Sequence, residues 1–311
     1  MKTLLVHLIR GQNGPTPVRR FLESYVAHPA GAEHELVLAL KGFPSEQDAF
    51  RCLAAARGHG LDPDHMILPD DGLDLTAYAR AVSRRPADRY CFVNSFSRIL
   101  ADDWLGHLGR ALDAPGVQLA GATGSWASHQ DYRRYHLGLH SGYDEVFDDR
   151  EQTRLGFLAL TRQHNPGKRD LGRLPFKLAA AADMIRDRRA FEPFPSAHLR
   201  TNAFIASARL MIALRFPQIR TKQAAYRLEG GTTGLTRRVI DGGGRVVVVD
   251  RHGALYDVNA WDRSHTFWAG AQQNLLVADN QTDDYAQAGD AGRRLLTALA
   301  WGRGRRRPTE S

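Results

Sequence analysis

The sequence predicts an α/β domain on a mostly parallel, doubly wound sheet with flanking helices. Short apolar runs alternate with helical stripes through residues 1–125, the pattern that βαβ units leave in a sequence. Those runs are strand-sized, and none nears the ~18 apolar residues expected of a membrane span. The 311 residues are 43% hydrophobic and 24% charged, which suits one large two-part domain and excludes a disordered, collagenous or coiled-coil chain.

Each element follows from its own residues. Leu4–Ile9 is a first strand, and the breaker-rich Gly11–Pro17 is a loop. Val18, Phe21, Leu22, Tyr25 and Val26 recur at helical spacing. Glu35–Leu40 is a second strand. Ser45 with Asp48 three residues on reads as a helix cap, and the helix it opens carries Phe50, Leu53 and Ala54. His65–Leu68 is a third strand, Asp70-Asp71-Gly72 a turn, and Leu75, Tyr78, Ala79 and Val82 a helical stripe. Tyr90–Val93 and Val117–Ala120 are further strands, with Asp102 and Asp103 opening a helix between them through Trp104, Leu105, Leu108 and Leu112.

Residues 126–195 break the pattern, being rich in Arg, Asp, His and Tyr, and are expected to form a helical or irregular insertion. Regular signals return over 196–302. Thr201–Ala206 is followed by a helix through Leu210, Met211 and Leu214. Thr232 or Thr233 caps a helix through Leu235, Val239 and Ile240. Arg245–Val249 is apolar enough to be buried on both faces, and a last helix spans Ala291–Ala300. Asp279-Asn280-Gln281 reads as a turn.

Composition narrows the function classes. Forty-two Lys and Arg against thirty-four Asp and Glu leave a net +8. Residues 303–311 hold four Arg and one Glu, so the body carries +5. Nucleic-acid binding calls for a basic stripe interleaved with aromatics, and none stands outside this tail. The tail is expected to be a disordered solubilising end that could weakly touch an anionic membrane surface. The two cysteines, Cys52 and Cys91, form neither a disulfide framework nor a zinc spacing, so a reducing, cytoplasmic compartment is expected. No Gly-x-Ser-x-Gly, P-loop or His-Glu-x-x-His pattern is present.

One family accounts for the order of these segments. Leu4–Arg10, Glu35–Lys41, Asp70-Asp71-Gly72-Leu73-Asp74, Tyr90–Val93 with Asn94-Ser95-Phe96-Ser97, Trp104-Leu105 and Gly116–Gly124 succeed one another as in the nucleotide-sugar half of a GT-A glycosyltransferase. The chain resembles family 2-like members, and its Asp-Gly-x-Asp segment is similar to that of rhamnan-synthesis-type enzymes. Leu199-Arg200-Thr201-Asn202-Ala203-Phe204, then Glu229, Leu235-Thr236-Arg237 and Gly242–Val249, resemble the acceptor half. The likeness covers about Leu4–Asp250 and leaves 125–195 unmatched.

This resemblance implies sugar transfer from a nucleotide-diphosphate donor to a hydroxyl of a glycan or lipid-linked acceptor, of the kind that serves cell-surface polysaccharide assembly. Glu229 would be the base of an inverting reaction; without the family it reads as a surface residue in the Gly-rich turn Glu229-Gly230-Gly231. Asp71 and Asp74 would hold the donor's base or ribose, or else cap their helix. Arg10, Lys41, Asn94 and Ser95 stand at carboxyl ends of strands, where the donor would lie. Arg10 and Lys41 could equally be strand-ending charges, and Asn94 and Ser95 could organise the following turn. Arg98 is a further candidate for offsetting diphosphate charge.

Arg200, Thr201, Asn202 and Arg237 are candidate acceptor contacts, with a structural turn and a salt-bridged Arg200 as the alternative. Trp126, directly after the fifth strand, is the preferred sugar-stacking aromatic, whereas Trp268 and Phe267 read as packing. His129, His136, His140 and His164 show no ligand spacing and read as solvated. The family's Asp-x-Asp is replaced by Asn94-Ser95-Phe96-Ser97, which leaves a Mg or Mn requirement open. A non-catalytic nucleotide- or carbohydrate-binding protein on the same fold is the alternative reading.

Overall fold

Leu4, Leu5, Val6, Leu8 and Ile9 are buried although they point alternately to opposite sides of their strand, so helices must cover both faces of the sheet. The computed structural model describes residues 1–72, 74–164, 189–214, 219 and 221–302. Leu73, residues 165–188 of the insertion and the 303–311 tail lie outside them.

The chain runs β1 (Thr3–Arg10), α1 (Pro15–Ala27), β2 (Glu35–Lys41), α2 (Glu46–Gly58), β3 (Asp64–Leu68), α3 (Asp74–Arg84), β4 (Arg89–Val93), β5 (Arg98–Ile99), α4 (Trp104–Asp113), β6 (Val117–Gly121) and β7 (Gly124–Ser125). Next come α5 (His129–His136), α6 (Arg150–His164), β8 (His198–Leu199), β9 (Ala203–Ser207), α7 (Ala208–Ala213), α8 (Lys222–Gly230), α9 (Leu235–Asp241), β10 (Arg245–Val249), β11 (Leu255–Asp257), β12 (Val277–Ala278), α10 (Asn280–Gln287) and α11 (Asp290–Trp301).

Eight strands form the main sheet in the order β11-β10-β6-β9-β4-β1-β2-β3. The β1–β2, β2–β3, β1–β4 and β6–β10 pairs are parallel, as the sequence predicts. Strand β9 runs antiparallel between β4 and β6, and β11 is an antiparallel edge. One face packs on α1, α2 and α4 through Phe21, Leu53 and Trp104. The other packs on α3, α7, α8, α9 and the insertion through Tyr78, Met211, Leu228, Val239 and Tyr135. Chain order reverses at β1 and β4, a topological switch point, beside whose carboxyl ends open α/β sheets place their ligands.

Several elements depart from expectation. Helix α2 buries Ala49, Leu53 and Ala56, and Phe50 is 44% exposed, because the small side chains let the helix lie close to the sheet. Ser45 does cap it, accepting from Asp48 N at 3.1 Å. Neither Thr232 nor Thr233 caps α9; Gly234 precedes it, and the Thr232 hydroxyl donates to Arg189 O. Asp279 is not in a free turn: it caps α10 in a reciprocal box with Thr282. The described part of the insertion holds α5 and α6 joined by irregular segments, within what the sequence leads one to expect, and α6 lies against α11.

His7 lies mid-strand in β1, fully buried, its ring 3.6 Å from that of Phe21 and beside the Val93 backbone. Burial lowers it from 6.5 to about 3. The folded state therefore resists protonation that the unfolded state accepts. Stability is full above pH 6.5 and falls as pH drops from 6.5 toward 3. The loss attributable to His7 is about 2 kcal/mol at pH 5. His7→Phe is expected to flatten the pH dependence of the urea midpoint between pH 6.5 and 4.5. An unchanged slope would show that His7 does not carry it.

Candidate functional site

The parallel register sets Arg10 beside Lys41, and Lys41 beside Leu68. The ends of β1, β2 and β3 thus deliver two cations and the Asp70–Asp74 turn to one rim. Lys41 is 1% exposed, which an ammonium tolerates only when paired. Its Nζ donates to Asp70 Oδ1 and to Gly72 O, both at 2.8 Å. That bond and the nearby Arg10 hold the Asp70 carboxyl below its ordinary value. Gly42 has φ +65°, and a Cβ there would lie 2.8 Å from Asp70 Cγ, so glycine is what lets the turn close on Lys41.

Arg10 reaches across to Asp70 at 3.8 Å and to Asp74 at 4.0 Å. Asp74 opens α3. Crowding by protein raises its carboxyl above the ordinary value, partly offset by Arg10 and Lys41 and reinforced by Glu229. Its side chain is still 41% exposed. One turn on, Tyr78 is fully buried with its hydroxyl unpartnered, and burial lifts it well above 10, with Asp74 and Glu229 adding to the shift.

Glu229 lies in the last turn of α8 rather than in a turn before a helix, because Thr221 caps at Ala224 N and the helix runs to Gly230. Its Oε1 accepts from Thr201 N at 2.8 Å and Thr201 Oγ1 at 3.1 Å, fixing the carboxylate on the segment that leads into β9. His198 packs against the Gly230 backbone, and its Nδ1 lies 3.0 Å from Ser196 O. Burial pushes His198 below its ordinary value against the pull of Glu229.

All but one of the other candidates have structural partners. Asp71 forms a two-pronged pair with Arg80 at 2.6 Å and 2.6 Å. Asn94 Oδ1 accepts from Phe96 N and Ser97 Oγ, so it organises its own turn. Ser95 is buried with its hydroxyl unpartnered. Arg98 pairs with Asp283 at 2.9 Å, across the β5–β12 ribbon. Asn202 is buried and accepts from Thr123 Oγ1 at 2.6 Å. Arg237 pairs with Asp241 and Glu192 on the α9 surface.

Two candidates are corrected outright. Trp126 is 1% exposed, donates its indole N–H to Val258 O at 2.9 Å and meets Trp301 edge-on, so no face is free for a sugar. Arg200 is buried against Asp279 at 2.7 Å and lies 4.1 Å above the Phe267 ring, as the salt-bridge alternative anticipates. His129 is not solvated: burial lowers it to about 4, whereas the His140 side chain is 89% exposed. Sequence reading passed over Asp70, treated as a turn residue, and Thr201's hold on Glu229. Only the register of β2 and β3 makes the first legible.

A divalent metal does not fit the end of β4. Asn94 and Ser95 bring no carboxylate, and the Asn94 carbonyl oxygen is already engaged. Among the described residues no group of three His, Cys, Asp or Glu converges elsewhere. The two cations near the strand ends, Arg10 and Lys41, are paired with Asp70 and Asp74.

No family model matches the chain, and no curated protein matches it. Several solved structures resemble it. One is Staphylococcus aureus TarS 1-349 in complex with UDP-GlcNAc, at 15% identity and TM-score 0.31 over 39% of this chain and 33% of that chain. The mouse xyloside xylosyltransferase 1, apo form, has 14% identity and TM-score 0.37 over 80% and 86%. The mannosyltransferase PcManGT from Pyrobaculum calidifontis, in complex with GDP-Man and Mn2+, has 11% identity and TM-score 0.42 over 79% and 54%. The chain spans about a third of the length of the TarS structure. These likenesses assign no residue here; the site stands on its own geometry.

Proposed function

We propose that the chain is an inverting glycosyltransferase of the GT-A kind, taking a sugar from a nucleotide-diphosphate donor to a hydroxyl of a glycan or lipid-linked acceptor. The supporting observation is that a carboxylate held by Thr201 (Glu229) lies near enough to Asp74 for its charge to be felt there, with Arg10, at the carboxyl end of a parallel strand, on the other side of Asp74. The acceptor oxygen bonds to the anomeric carbon and its proton passes to Glu229. The bond from that carbon to phosphate breaks, and the nucleoside diphosphate leaves with the electron pair. Arg10 offsets the charge that builds on the leaving group, while the buried Lys41 holds the Asp70–Gly72 turn behind it. Asp74 is the better placed of the two aspartates for a donor hydroxyl, since Asp71 is tied to Arg80.

A donor that binds only the folded state raises the melting temperature by mass action. Screening UDP-, GDP-, dTDP- and CMP-sugars is therefore expected to give at least one upward shift without added metal. No shift with any of them, with or without Mg²⁺ or Mn²⁺, would remove the donor from the proposal. The second reading, donor binding without turnover, draws on the pairing of Arg10 and Lys41 with Asp70 and Asp74, which already offsets part of the rim's charge. A shift with no transfer to any acceptor would favour it.

Among the described residues no helix is long and apolar enough to cross a membrane. The weak membrane contact and cytoplasmic location inferred from sequence remain proposals that rest on the tail and on the two cysteines.

A further inference from the structure

Three residues before Glu229, on the same face of α8, Tyr226 holds an aromatic ring 39% exposed. The ring is backed rather than loose. His129, the first residue of α5, lies 4.1 Å from it centroid to centroid, and Phe191 lies 5.4 Å behind His129. Gln223, one turn earlier on α8, accepts from Arg133 Nη2 at 2.6 Å and pins α5 to α8 across this patch. Glu229 is near enough to Tyr226 for its charge to raise the phenol above its ordinary value, after burial, with Arg133 opposing. His129 is held uncharged at neutral pH. A neutral, rigidly backed aromatic face therefore stands open beside a fixed carboxylate.

We infer that this face is the acceptor subsite, on which a pyranose ring lies with its C–H side against Tyr226 and one hydroxyl directed to Glu229. The inference rests on the transferase reading and replaces Trp126 with Tyr226 as the stacking residue. The chemistry selects a neutral saccharide. Ring C–H groups carry partial positive charge that suits a π face. A carboxylate accepts a hydroxyl's hydrogen bond but repels an anionic nucleotide. The cation that would meet a diphosphate is Arg10, at the end of β1.

Saturation-transfer NMR with the full chain tests this, using methyl gluco-, galacto-, manno- and rhamnopyranosides as probes. At least one is expected to receive saturation on the protons of one ring face. Tyr226→Ala is expected to cut that signal at least tenfold, and Tyr226→Phe to keep it. Tyr226→Gln, which preserves helix propensity, serves if the alanine variant misfolds. No signal with any glycoside, or a signal undiminished in both truncating variants, overturns the subsite. The nucleotide-sugar thermal shift, run on the same proteins, should be unaffected by Tyr226. If that shift is absent from every variant while the glycoside signal stands, the transferase reading falls and the saccharide subsite survives.

Discussion

Glu229→Gln is expected to slow sugar transfer by about 10²–10⁴-fold while leaving nucleotide-sugar binding in place. The substitution keeps an amide oxygen where Thr201 donates from its backbone N–H and hydroxyl, so the end of α8 should hold its position. What it removes is the capacity to take the acceptor's proton. It also removes the negative charge that helps raise Asp74, whose carboxyl should titrate closer to its ordinary value in the variant. Product formation and the donor-induced thermal shift, measured on the same preparation, separate the two effects. Turnover at the native rate would take Glu229 out of the chemistry.

Arg200→Met is expected to cost about 3–5 kcal/mol of stability. Its partner Asp279 is 1% exposed, and removing the guanidinium strands a carboxylate where water cannot reach it. Asp279 cannot simply turn outward, because Oδ1 also accepts from Thr282 N to begin α10. The guanidinium further stacks over Phe267 and reaches Thr123, so packing is lost along with charge. Urea denaturation gives the number. Arg200→Lys, which keeps the charge but not the planar fork, should lose less. An acceptor-binding Arg200 would instead raise the acceptor KM with stability unchanged.

The first four principal strands and their helices were legible because buried parallel strands write continuous apolar runs and their helices write 3.6-residue stripes. Strand β9 was legible as an element but not in direction, since Ala203–Ser207 looks the same read either way. Phe50 misled because size was taken for burial, when Ala49 and Ala56 made the closer contact. Arg10, Lys41, Asp74 and Glu229 were legible as strand-end charges or motif members, and their roles are proposals. The capture of Lys41 by Asp70 depends on a register between strands about thirty residues apart. Trp126 shows the opposite error: its position after a strand pointed to the rim, but Ala300 and Trp301 of the last helix lie over it.

The placement of β9 has a consequence for how the chain is made. It is the only described strand between β4 and β6, and it is synthesised after both, with the whole insertion in between. As a chain leaves the ribosome, β1 to β4 can pair among themselves, while β6 must wait for a neighbour. Until residue 203 emerges, both β4 and β6 present open hydrogen-bonding edges, and closing them requires a long loop to come together. Thr201 and Asn202 arrive with that same strand. Sheet closure and the seating of Glu229 on Thr201 therefore both wait for the chain from residue 201 onward.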